Sequence, residues 1–130
     1  MNEVSQTIAR KTCLVVDDSR AVRKVARRIL EELSFAVVEA ADGKLAIEHC
    51  LARMPDVVLL DWSMPVMSGI EFLRQLRRTP GGEAPVVLFC TSHGDLDHIQ
   101  AALVAGANEY LLKPFDQEIL ESKLADAGML

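Results

Sequence analysis

Four apolar runs in this 130-residue chain end in polar groups whose chemistries fit together. "LVVDD" ends in Asp17 and Asp18, "DVVLLD" in Asp61, "PVVLFCT" in Thr91 and "EYLLK" in Lys113. Each has a dull reading when taken alone, because a terminal Asp is often a helix cap and a Thr or Lys there is commoner still. As a set they point to a charged site. Adjacent carboxylates repel one another and resist losing water, so three of them call for a cation. Oxygen ligands that leave water positions open suit Mg²⁺ better than a softer metal. A hard divalent ion can screen phosphate oxygens. Lys113 would add a fixed positive charge for the same oxygens, and the Thr91 hydroxyl a hydrogen bond. A carboxylate can also be the nucleophile, giving an aspartyl phosphate. The chain has no GxxxxGK[ST] loop and no GxGxxG after a strand. The phosphate is therefore expected from another protein or a small phosphodonor rather than from a bound nucleotide.

The elements that must position these groups are legible in the apolar pattern. "CLVV" (13–16), "FAVVEA" (35–40), "DVVLL" (56–60), "PVVLFC" (85–90) and "EYLLK" (109–113) read as strands buried on both faces, since they are rich in Val and Leu without polar alternation. Helical spacing separates them. Val22, Val25, Ile29 and Leu33 recur on one face of the first helix, with Ala26 and Leu30 beside them. The second, 42–53, can start from Asp42 as its N-cap. The third, 68–78, turns Ile70, Leu73 and Leu76 inward. The fourth spans 95–107, and the fifth, 115–128, carries an inward stripe of Ile119, Leu120 and Leu124. The best internal loop is "RRTPGGEAP" at 77–85. Five alternations with short connections predict an α/β fold, a doubly wound parallel sheet of five strands with helices on both faces. Such folds bind ligands beyond the carboxyl ends of their strands, where the polar groups lie.

Bulk properties narrow the function further. Half of the residues are hydrophobic and a quarter charged, as in ordinary globular domains. The formal net charge of −5 argues against broad nucleic-acid binding, although a local basic patch remains compatible with it. Cys13, Cys50 and Cys90 have neither CxxC nor Cys/His spacing, so they read as buried thiols in a reducing compartment rather than as zinc ligands. The first eleven residues are polar and lack the apolar core of a signal peptide, and no apolar run approaches a membrane span. The expectation is a cytoplasmic protein with a flexible lead over 1–11 and one domain over 12–130.

The motifs "VVDDSR", "LLDWSMPVMSG", "CTS" and "YLLKPF", in that order, resemble the receiver domain of two-component response regulators. The resemblance runs from about residue 12 to the end. It implies a flavodoxin-like sheet with strand order 2-1-3-4-5. It also implies Asp61 as phosphoacceptor, and Asp17, Asp18, Asp61 and the Ser63 carbonyl around Mg²⁺, with Asp18 a more direct ligand than Asp17. Thr91 becomes the switch hydroxyl, Lys113 the phosphate-binding lysine and Tyr110 the switch aromatic. By composition alone Tyr110 would be a half-buried strand tyrosine with a wet hydroxyl. A cis Lys113–Pro114 bond and a turn glycine at Gly69 also follow from the resemblance. On the same resemblance Met64 and Pro65 are expected to shape the loop after Asp61 and Trp62 to project beside the site, and Ser63 and His93 occupy positions that in that family tune dephosphorylation.

The implied partners are a histidine kinase or histidine phosphotransfer protein upstream and a protein target downstream, with no membrane and no nucleic acid. The fifth helix is followed only by a short tail, so the expectation is a stand-alone receiver that signals by protein contact. The regulator that binds the flagellar motor switch in chemotaxis is the leading model, and a phosphate sink in a branched relay the alternative. A metal-dependent phosphatase or phosphotransferase would normally carry a second, general-acid carboxylate just after the nucleophile, which "DWSMP" lacks. A binding module with a vestigial site is disfavoured by the presence of every key residue. Arg20, Arg23, Lys24, Arg27 and Arg28 make the first helix basic, either as a solvated face or as a docking face for an acidic partner.

Overall fold

The structure, a computed structural model, describes residues 10–92 and 96–130. The elements alternate strictly: β1 (Thr12–Val16), α1 (Arg20–Glu32), β2 (Ala36–Ala40), α2 (Gly43–Ala52), β3 (Val57–Asp61), α3 (Gly69–Arg78), β4 (Val86–Thr91), α4 (Leu96–Ala105), β5 (Glu109–Leu112) and α5 (Gln117–Asp126). The strands form one sheet in the order β2-β1-β3-β4-β5. All four pairings are parallel. The expected architecture and strand order are therefore observed. The N-terminal lead and His93 fall largely or wholly outside the described residues, as does the expected start of the fourth helix.

Two apolar layers sandwich the sheet. One face packs Leu14, Val58, Leu60 and Phe89 against Ala46 of α2 and Phe72 of α3. The other packs Val15, Leu59 and Leu88 against Leu30 of α1 and Leu120 and Leu124 of α5. Only the three central strands are buried on both faces. β2 and β5 are edge strands and half-exposed, so the expectation that all five would be fully buried holds for β1, β3 and β4 alone.

Two expected core positions are corrected. Val25 is 47% exposed and Ile119 43%, because α1 and α5 each bury a narrower stripe than their apolar residues could cover. In α1 that stripe is Ala26, Ile29 and Leu30, while Val22 and Leu33 are half-buried. In α3 Phe72 joins Ile70, Leu73 and Leu76 inside. α3 ends at Arg78, as the expected helix over 68–78 does, so the loop expected over 77–85 begins after these two arginines rather than with them. Arg77 folds back there, donating to the carbonyls of Gly82, Pro85 and Gly106 at 2.7–3.0 Å.

Helix starts match their capping chemistry. Ser19, Asp42, Ser68 and Asp116 each accept a backbone N–H of the first turn. Ser19 and Ser68 matter most here, since they fix the helices that leave the two acidic strand ends.

Candidate functional site

β1 and β3 are neighbours in the sheet, so their carboxyl ends bring Asp17 and Asp18 beside Asp61. One carboxylate oxygen from each of the three lies within 4.8 Å of the others. Asp17 and Asp61 are buried and Asp18 is exposed. Lys113 follows β5, and its backbone N–H donates to the Thr91 carbonyl at 2.9 Å. From there its Nζ reaches across the strand ends to Asp17 Oδ2 at 2.8 Å and Asp61 Oδ1 at 2.7 Å. The Lys113–Pro114 peptide bond is cis, as expected.

Asp17 is held at every polar atom. Its N–H donates to the Ala40 carbonyl at 3.1 Å. Its carbonyl accepts from Arg23 Nη1 at 2.7 Å. Oδ1 accepts the Ser19 N–H at 2.8 Å, and Oδ2 belongs to Lys113. Asp18, one residue on, stands in solvent with its carboxylate beside the cluster.

The loop after Asp61 is shaped by close backbone approach. A Cβ on Gly69 would sit 2.2 Å from the Asp61 carbonyl oxygen, so only glycine fits there, consistent with the expected turn glycine. The Gly69 N–H donates to the Trp62 carbonyl at 3.1 Å, and the Trp62 N–H to the Cys90 carbonyl at 3.0 Å. These bonds tie the start of α3 and the end of β4 to Trp62, the residue that follows the Asp61 carboxylate.

Thr91 is buried at the end of β4. It lines a cleft of about 290 Å³ together with Asp61, Trp62, Ser63, Ser92 and His98. Trp62 lies beside the site as expected. Its ring stacks on His98 at 4.1 Å and meets Phe89 edge-on at 5.3 Å. Tyr110 is half-buried on β5, with the Lys123 ammonium 4.5 Å from its ring centroid, and it is not among the residues lining that cleft. The structure thus brings together Asp17, Asp18, Asp61 and Lys113, sets Thr91 and Ser63 on the adjoining cleft, and leaves Tyr110 at the sheet edge.

Electrostatics at the centre are short of positive charge. Burial pushes the Asp61 carboxyl above its ordinary range. Lys113 opposes that shift and the charges of Asp17 and Asp18 reinforce it. Burial alone would lower the Lys113 ammonium, but its hydrogen bonds and charge pairing with Asp17 and Asp61 outweigh this, and the net shift is upward. One ammonium bonds two of the three carboxylates and, among the described residues, leaves Asp18 without an ion-pair partner of its own. This all-oxygen donor set fits a hard divalent cation, which would supply the missing charge.

Residues 13–125 match the family model of the response regulator receiver domain. The chain belongs to that family. Among curated relatives, the response regulator MprA of Mycolicibacterium vanbaalenii is 41% identical over 111 residues, covering 85% of this chain and 47% of MprA. The receiver thus spans about half the length of the curated relatives it matches. Among solved structures, the Vibrio cholerae chemotaxis protein CheY4 has a TM-score of 0.87 at 31% identity, over 92% of this chain and 99% of CheY4. The receiver domain of sensor histidine kinase PA1611 from Pseudomonas aeruginosa, whose structure holds a magnesium ion in the active-site cleft, has a TM-score of 0.82 at 27% identity over 92% of this chain and 99% of its own.

Two residues around the receiver site escaped sequence reasoning. His98 had no signal beyond being a helical histidine. Arg23 was hidden in a basic run, where the single acidic residue of β2, Glu39, was the clue to an inward arginine. The docking reading of that run is narrowed accordingly: Arg23 and Arg27 both turn to Glu39, at 3.0 and 2.6 Å. Arg20, Lys24 and Arg28 stay exposed. Among the described residues no helix is long and apolar enough to cross a membrane.

Proposed function

We propose that this receiver is a phosphorylation-controlled binding module with Asp61 as its phosphoacceptor. The observation that carries the reading is Lys113 Nζ bridging Asp17 and Asp61 at 2.8 and 2.7 Å inside a three-carboxylate cluster. An Asp61 carboxylate oxygen attacks the phosphorus of a phosphohistidine on a histidine kinase or phosphotransfer protein. The O–P bond forms as the P–N bond breaks, and the imidazole departs with the bonding pair and takes up a proton. Mg²⁺, held by Asp18, Asp61 and the Ser63 carbonyl, with Asp17 acting partly through water, would supply charge neutralisation for the phosphoryl oxygens. The lysine contributes a second positive charge fixed by two partners. The cleft beside Asp61 gives the phosphoryl group room, with Thr91 on its wall. Water later attacks phosphorus and restores the carboxylate.

The Thr91 hydroxyl shifting towards the phosphoryl group, with Tyr110 following, would bias the face made by α4, β5 and α5. That face exposes Leu103, Val104, Leu112 and Ile119, which suits output by protein contact. A flagellar motor switch component is the target class we favour, on likeness to a chemotaxis protein, in a cytoplasmic setting. On the kinase side, an apolar groove between α1 and the β5–α5 loop opens at Lys113, with Val22, Val25 and Phe115 on its walls. Its exposed neighbours Arg20 and Lys24 suit an acidic rim on the phosphodonor protein.

The test is incubation with Mg²⁺ and acetyl phosphate, read by intact mass. The expected result is a gain of one phosphoryl group that needs Mg²⁺ and disappears in Asp61→Asn. An unchanged mass in protein shown to bind Mg²⁺, or a gain retained in Asp61→Asn, contradicts the reading.

A further inference from the structure

Asp17 and Asp18 are adjacent but treated oppositely: Asp17 is fixed at all four polar groups, while Asp18 is exposed. The bond to the Asp17 carbonyl is the unusual one, because a side chain there holds a main-chain oxygen. Arg23 lies one turn into α1 and donates Nη1 to that oxygen at 2.7 Å. The same guanidinium donates Nε to Glu39 Oε1 at 3.0 Å. Glu39 sits on β2 in register with Val15, two residues before Asp17. Its other oxygen accepts from Arg27 Nε at 2.6 Å. One carboxylate on the edge strand thus orients a fork, and the fork holds the peptide plane that joins Asp17 to Asp18.

From this geometry we infer that Arg23 is a positioning residue for divalent-cation binding, with Glu39 as its orienter. The inference rests on the reading of Asp17, Asp18 and Asp61 as the cation site. Fixing the Asp17 carbonyl fixes the direction in which the chain enters Asp18, and so where the Asp18 carboxylate stands relative to Asp61. The Ser19 N–H bond to Asp17 Oδ1 holds the chain on the far side of Asp18, so the Arg23 bond holds the near side of a residue whose own side chain is exposed. Partners one shell behind metal ligands commonly set affinity by orienting them.

Electrostatics and positioning predict opposite signs here. Arg23 is a positive charge near a cation site, so removing it should tighten Mg²⁺ binding if charge alone mattered. Removing a positioning group should weaken it.

The experiment is calorimetric titration of Mg²⁺ into the metal-free protein, with folding checked by circular dichroism and thermal unfolding. Arg23→Gln is expected to weaken Mg²⁺ binding by about 10-fold while the chain stays folded. Arg23→Lys keeps the charge but cannot reach two acceptors as a fork, and should recover only part of the loss. Arg27→Gln removes an equal charge from the same Glu39 without touching Asp17, and should stay within about twofold of the parent. Equal or tighter binding in a folded Arg23→Gln overturns the inference, and so does an equal loss in Arg27→Gln. If Arg23→Gln does not fold, the comparison of Arg23→Lys with Arg27→Gln decides. A parent protein that binds no Mg²⁺ overturns the cation-site reading itself, which distinguishes the two failures.

Discussion

Asp61 is a carboxylate placed where its own charge is disfavoured. Burial and two acidic neighbours raise its pKa above that of the unfolded chain, so the native state binds this proton better than the unfolded state does. Its contribution to stability is therefore present below the unfolded carboxylate pKa and lost as pH rises through the higher folded value. At neutral pH without metal the ionised side chain is a net cost. Asp61→Asn should raise the thermal midpoint of the metal-free protein by about 3 °C at pH 7, and the advantage should shrink as pH falls towards 4. A lower midpoint at pH 7 would mean that the bond to Lys113 outweighs burial. The identities of these residues were legible at strand ends because polar groups there interrupt apolar runs. Their pairing was not, because Lys113 is 96 residues from Asp17 and only the sheet order brings them together.

At the scale of elements, apolar runs and caps located nearly every strand and helix, while burial within the helices was harder to read. Val25 and Ile119 look like core residues in sequence, yet both face solvent, because periodicity gives a face but not how far the neighbouring strand extends beneath it. Arg77 shows the converse: a polar residue at the end of α3 latches that helix to the loop after it and to the segment before β5. The end of α1 carries a strained position. Ser34 adopts φ +72°, and the Phe35 N–H donates to the Leu30 carbonyl at 2.9 Å in a left-handed helix cap. Glycine is the residue that fits this conformation without strain. Ser34 is exposed and loses little on replacement, so Ser34→Gly should stabilise the fold by about 1 kcal/mol in denaturant unfolding. A loss of stability would show that the serine side chain matters more than its backbone.

For the molecule as a whole, the five alternations were enough to predict a doubly wound sheet, whereas the order 2-1-3-4-5 came from family resemblance. That order makes β1 and β3 adjacent and so assembles the acidic cluster. The same sandwich hides all three thiols. Burial pushes Cys13 up to about 12 and Cys50 to about 11, and Cys90 is raised as well. A thiol reagent at neutral pH should therefore leave the native protein unlabelled and modify all three cysteines once denaturant unfolds it. Rapid labelling without denaturant would show that one of the two apolar layers opens locally. The central claim is that this sheet edge accepts a phosphoryl group on one carboxylate. The most direct measurement is to phosphorylate with acetyl phosphate and Mg²⁺, reduce the acyl phosphate with borohydride, and locate the product by peptide mass spectrometry. Homoserine is expected at position 61, with Asp17 and Asp18 unmodified. Reduction at Asp17 or Asp18, or at no aspartate in protein that has bound Mg²⁺, would contradict it.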